Sequence, residues 1–229
     1  MLSEERNFWE SKIPTQPDGS FETLSDSSYK KIIAHFNPPA DSFGLEYACG
    51  SGAFSNFIAD CQIVGLDISM SLLKNSESII PVQANGEKLP FVNESFDFVI
   101  CAAALHHIPQ LNQAISEIYR VIKHGGYIYI FELNTNHPQR KLVAARESKF
   151  RKVFKTTSFS PAESLIPEKK LLRILDNAGF ALNSKSYISP VYRNPTALAK
   201  LQAIVSRYFA KGILKKYVEG YLLISARKL

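Results

Sequence analysis

Two carboxylates, Glu46 and Asp67, stand 21 residues apart in apolar runs, and the first is followed closely by Gly50-Ser51-Gly52. A carboxylate near a buried strand end is costly unless a cation or donor groups meet it. Glu46 therefore presents negative charge to something positive. Glycines at 50 and 52 permit positive φ and remove the Cβ that would block a ligand, although an ordinary strand-to-helix turn tolerates two glycines as well. The following "AFSNFIAD" spaces Phe54, Phe57 and Ile58 as a helix does, and a helix start would aim free N–H groups at the cradle. Asp67, near the end of "VGLDIS", is placed to accept both hydroxyls of a ribose, while Ser69 suits a helix cap better. In "QANGEKLPF", Asn85 carries the donor and acceptor needed for an adenine edge, and Gly86 lets the backbone approach.

Proton chemistry has fewer candidates. His106 and His107, in "CAAALHHI", are the nearest general bases, and Glu132, in "GYIYIFEL", is expected to face the same crevice and orient an acceptor. The competing reading packs one histidine against the ligand and starts a helix with the other. Cys49, Cys61 and Cys101 show no Cys-x-x-Cys spacing, so neither a disulfide framework nor a metal site is indicated.

These residues need a scaffold that gathers strand ends. Strand-like runs recur near 43, 61, 78, 95 and 126, with helical patterns between several of them, clearest over Leu111–Ile122. Such alternation predicts an α/β fold with a parallel sheet and crossover helices. A helix over Asp26–Phe36, a helix ending at the cap Gly179, and two closing strands complete the pattern. We expect one domain over 1–229, with a helical cap over 1–40 and substrate-covering insertions at 134–164 and 190–217. The start "MLSEERNFWE" is acidic and polar where a signal peptide would be basic and then apolar, and no apolar run reaches membrane-span length, which predicts a cytoplasmic protein.

The order of motifs resembles the class I S-adenosylmethionine-dependent methyltransferases, in particular the group related to quinone-biosynthesis enzymes. The matching stretches are "LEYACGSGAFS", "VGLDIS", "VQANGEKLPFVNESFDFVICAAALHHI" and "EIYRVIKHGGYIYIFE", dense over about 40–132. The resemblance implies a Rossmann-like three-layer sandwich, seven mostly parallel strands with the last antiparallel, and S-adenosylmethionine as cofactor. It implies cofactor contacts from Glu46, Ala48, Cys49, Gly50, Ser51, Gly52, Asp67, Ile68, Asn85, Gly86, Glu87 and Ala102. Ala48 and Ala53 replace two family glycines, Asn85 an aspartate, and His124 a proline. S-adenosylmethionine carries an ammonium and a sulfonium against one carboxylate, which answers the negative charge of Glu46. An NAD-dependent dehydrogenase is the weaker alternative, since the pattern lacks the last small residue of the dinucleotide fingerprint.

Charge separates the two halves. Residues 1–130 hold 8 Lys and Arg against 15 Asp and Glu, a balance of −7, whereas 131–229 hold 19 against 6, a balance of +13. The basic half includes 134–159 with seven Lys/Arg and one Glu, and 192–218 with six and no acid. They predict a small anionic acceptor gripped by Arg140, Lys141, Arg146 and Arg151, and the second segment also suits a membrane surface. A nucleic-acid acceptor is disfavoured because the fourth strand ends in "CAAALHH" and not in an Asn/Asp-Pro-Pro-aromatic motif. An RNA methyltransferase and a noncatalytic cofactor-binding protein stand as the other readings.

Overall fold

The computed structural model describes residues 2–11, 24–138, 164–189, 200, 204 and 212–229. Seven strands form one sheet in the order β3-β2-β1-β4-β5-β7-β6. They are β1 (Phe43–Tyr47), β2 (Gln62–Asp67), β3 (Ile80–Gln83), β4 (Phe96–Ala102), β5 (Ile122–Leu133), β6 (Phe180–Ile188) and β7 (Tyr221–Lys228). The first five are parallel, and β7 runs antiparallel to both β5 and β6, as expected.

Side-chain alternation divides the interior between two faces. Leu45, Tyr47, Val99 and Cys101 pack toward α4 (Leu111–Val121) and α5 (Glu168–Ala178), joining Ile115, Ile118, Leu171 and Leu175. Phe98, Ile100, Tyr129 and Phe131 pack on the other face with Ile32, Ile33 and Phe36 of α2 (Asp26–Phe36). Burial on both faces is what turns these strands into near-continuous apolar runs. Because Ile32, Ile33 and Phe36 are buried in that second core, α2 is a layer of the sandwich; α1 (Leu2–Glu10) lies instead across the strand ends. The remaining helices are short: α3 (Met70–Leu73), capped by Ser69, and α6 (Lys215–Val218). Gly179 closes α5 at φ 100°, the left-handed cap read from the sequence.

One element differs from expectation. The helix predicted after the glycine turn is a three-residue 3-10 turn, Ser55–Phe57. Ile58 is already extended, Asp60 turns at φ 56°, and β2 begins at Gln62, which leaves no room for a second turn of helix.

No helix among the described residues is long and apolar enough to cross a membrane. Strand order reverses beside β1, whose neighbours are β2 and β4, and the carboxyl ends of these three strands therefore bound a crevice.

Candidate cofactor crevice

Glu46 ends its path inside the protein, 2% exposed. Its carboxylate accepts hydrogen bonds from the backbone N–H of Ser55 at 3.0 Å and of Phe54 at 3.4 Å, and from the Ser55 hydroxyl. The N–H groups expected to point at a ligand are thus engaged by Glu46, which folds the glycine turn back on β1. Burial pushes the Glu46 carboxyl up to about 7 against the pull of those donors, and the charge of Asp67 adds to the rise.

The turn itself is left-handed three times, at Ala48 (φ 48°), Gly50 (φ 56°) and Gly52 (φ 73°). A Cβ on Gly50 would meet nothing within 4 Å, whereas one on Gly52 would stand 2.6 Å from the Ser76 hydroxyl oxygen. Gly50 therefore faces open space and Gly52 faces the protein. Ala48 holds the strained conformation with a side chain in place. We expect Ala48→Gly to raise stability by about 0.5–1 kcal/mol, the left-handed strain relieved less the extra freedom glycine gives the unfolded chain. Chemical denaturation checks it, and an unchanged or lower midpoint at constant m would contradict the strain argument.

Asp67 ties the second strand to the same turn. One carboxylate oxygen accepts from Gly50 N–H at 2.8 Å and the other from Ser69 N–H at 2.9 Å. Burial raises its carboxyl above the ordinary range despite these donors. Ile68, half-buried, offers its carbonyl to Gln83 Nε2 at 3.0 Å. Asn85 accepts from Glu87 N–H at 2.9 Å, forming a local turn with its own side chain. Gly86 has a different reason from the one the sequence suggested. A Cβ there would stand 2.2 Å from the Tyr47 hydroxyl, so Gly86 makes room for a tyrosine. Glu87 also turns inward, accepting from Gln110 N–H at 2.9 Å just before α4. Cys49 and Ala102 are half-buried beside the turn and Ser51 is exposed; burial pushes the Cys49 thiol far up.

The second constellation lies at the end of β4. His106 and His107 fall in the 3-10 turn Leu105–His107, and α4 starts four residues later, so neither histidine opens it. Glu132 was expected to face the crevice, but the residue is only 3% exposed. It accepts from Leu105 N–H at 2.8 Å and lies 2.8 Å from His106 Nδ1. Burial acts to raise its carboxyl, yet the charge and hydrogen bond of His106 prevail and hold it below the ordinary range. An ionised carboxylate only accepts, so His106 Nδ1 is the donor of this pair. His107 is driven down to about 3 by burial and by the charge of His106. Its ring meets Trp9 edge-on, centroids 5.2 Å apart.

Arg140, Lys141, Arg146 and Arg151 lie outside the described residues. Residues that the sequence did not single out are Ser55, Tyr47, Gln83, Glu10 and Trp9. Only Trp9 carried a signal, as the single tryptophan of the chain.

Residues 45–130 match the family model described as a methyltransferase domain. The chain is 28% identical over 129 residues to demethylmenaquinone methyltransferase of Lactiplantibacillus plantarum, covering 50% of this chain and 54% of that protein. It is 31% identical over 116 residues to tRNA (carboxymethyluridine(34)-5-O)-methyltransferase of Arabidopsis thaliana, covering 48% and 29%. The matched part is therefore about half the length of the first relative, and less of the second. Among solved structures, the (4+2)-cyclase SpnF superposes with a TM-score of 0.64 at 17% identity, covering 99% of this chain and 93% of that one. A cyclase on the same fold shows that fold alone does not set the reaction. Motif order over β1 to β5, the strand order and the matched segment agree with one another, and residues 45–130 are similar to the methyltransferase domain of the S-adenosylmethionine-dependent enzymes.

Proposed function

We propose that this chain binds S-adenosylmethionine in the crevice above β1, β2 and β4 and transfers its methyl group to a small anionic acceptor. The observation that carries the reading is the joining of Gly50 and Asp67 at the strand-order reversal, where an open glycine face adjoins a buried carboxylate. Asp67 would hold the ribose hydroxyls, Asn85 the adenine edge and Gly50 the methionine end, with Glu46 supplying negative charge behind the turn. When bound, the cofactor supplies a methyl group on a sulfonium, ready for in-line displacement. The protein's share is alignment, which can supply much of the rate. Should the acceptor need to lose a proton, His106 in its neutral form is the candidate base, because Glu132 accepts from Nδ1 and so fixes the tautomer and orientation. His107, held neutral, serves as an uncharged aromatic surface.

The anionic acceptor follows from the +13 balance after residue 130. RNA is the second reading, favoured by the same charge and by the tRNA-modifying relatives of Arabidopsis thaliana and Saccharomyces cerevisiae, 31% and 32% identical. Transfer of labelled methyl groups to metabolite, lipid-linked glycan and RNA fractions separates the two. Labelling confined to RNA would overturn the small-molecule acceptor, and no labelling in any fraction would overturn catalysis. For the cofactor site, Asp67→Asn should weaken S-adenosylhomocysteine binding by about 1–2 kcal/mol, the scale of removing hydrogen bonds to a charged acceptor. Calorimetry beside a melting curve checks this. Unchanged affinity with a lower melting temperature would make Asp67 purely a tie for the turn.

A further inference from the structure

The first helix makes contacts at both ends of the crevice. At its C-terminal end, Glu10 accepts from Met70 N–H at 2.9 Å, from Ser71 N–H at 3.3 Å and from Gln83 Nε2 at 3.3 Å. The Ser71 hydroxyl adds a bond to the Glu10 carbonyl at 3.5 Å. One residue earlier, the Trp9 ring meets His107 beyond β4, and its Nε1 donates to Glu5 at 2.9 Å. Glu5 in turn lies 4.0 Å from His107 Nδ1. A single helix thus bridges the turn after β2, which carries Asp67, and the turn after β4, which carries His106. Its residues Glu5, Trp9 and Glu10 are the points of attachment, while Glu4, Arg6 and Asn7 face solvent.

Gln83 links this helix to the ribose side of the site. Its amide donates both to Glu10 and to the carbonyl of Ile68, the residue after Asp67. The Glu10 and Asp67 carboxylates also lie near enough to feel each other's charge. A second carboxylate beside Asp67 is tolerated because backbone N–H groups of Met70 and Ser71 meet it.

We infer that α1 is a removable wall of the cofactor crevice, with Glu10 as the positioning residue that seats it on the β2–α3 turn through Met70, Ser71 and Gln83. The site is complete only with α1 in place, and the cofactor leaves when the Glu10 hydrogen bonds open. Burial of the core does not depend on this helix, since the apolar clusters of both sheet faces are built without residues 2–10. Removing Glu10 should therefore loosen the wall and spare the sheet. This inference rests on the proposed cofactor site only in its second half, and the test has a part for each half.

Hydrogen exchange on Glu10→Ala, without ligand, reads the wall directly. Residues 3–10 should lose protection while β4 and β5 keep theirs, with an unchanged melting temperature. Stopped-flow release of S-adenosylhomocysteine, followed by the fluorescence of Trp9, reads the gate. Release should be about three- to tenfold faster in Glu10→Ala, the scale of removing a carboxylate's hydrogen bonds at a half-exposed position. Glu10→Gln, which keeps an acceptor for one N–H, should fall between. Unchanged protection of α1 would overturn the wall. Lost protection with an unchanged release rate would overturn the gate, and failure of the wild-type protein to bind S-adenosylhomocysteine would overturn the cofactor reading while leaving the exchange result to decide the wall.

Discussion

Glu132→Ala is expected to cost about 3 kcal/mol or more of folding stability, because it strands two buried partners at once. Leu105 N–H loses its acceptor at 2.8 Å, and His106 Nδ1 loses the carboxylate that fixes its ring. Neither group can turn to water, since Leu105 is fully buried and His106 nearly so. Glu132→Gln keeps one oxygen for Leu105 and so should lose less. Equilibrium urea unfolding of both variants measures the difference, and the order Ala worse than Gln is the expected result. A variant that unfolds like the wild type but turns over slowly would move Glu132 from the scaffold to the chemistry. The sequence presents the pair as catalytic candidates, and the structure makes the carboxylate a support of the turn that carries the histidine.

The second large effect is a dependence of stability on pH that belongs to Glu46. Its carboxyl titrates at about 7 in the folded protein, chiefly through burial, against an ordinary value near 4.3 in the unfolded chain. Between those values the folded state binds the extra proton, so stability falls as pH rises. The loss should amount to about 3 kcal/mol between pH 4 and pH 7, at about 1.4 kcal/mol per pH unit, and level off above. Other groups titrate in the same interval, so the measured quantity is the difference between wild type and Glu46→Gln. That difference should shrink toward low pH and widen up to about 7 in favour of the variant, offset by a constant cost for the altered donors. A difference that does not change with pH would mean that Glu46 is already ionised when buried. The same group links to the cofactor. If the ammonium of S-adenosylmethionine favours the ionised carboxylate, affinity rises with pH toward about 7 in the wild type and stays flat in Glu46→Gln.

The sequence by itself determined the elements that repeat a simple pattern. Apolar runs at β1, β2, β4 and β5 form strands because burial on both faces demands continuous apolar residues, and that condition is visible in one dimension. The helix at Asp26–Phe36 and the one closed by Gly179 were legible for the same kind of reason, a period and a cap. The carboxylates at strand ends and the glycine turn were legible too, since few residue types serve there.

Only the tertiary structure decided where those groups point. Glu46 turns to Ser55, nine residues on; Glu87 turns to Gln110; Glu132 turns back to Leu105 and His106. Each of these bonds joins segments whose separation no local period records, and a buried carboxylate takes whichever donors the packing brings within reach. Gly86 shows the same limit from the other side, because the ring that fills its Cβ position comes from Tyr47, at the end of β1. The helix expected after Gly52 failed for a reason of length, as β2 had to start at Gln62 to pair with Phe43. The first helix was legible only as part of the helical cap expected over 1–40 and through the single tryptophan, Trp9. Its place across the crevice is set by what the ends of β2 and β4 offer it, backbone N–H groups at Met70 and Ser71 and a neutral ring at His107, and those are properties of the assembled sheet.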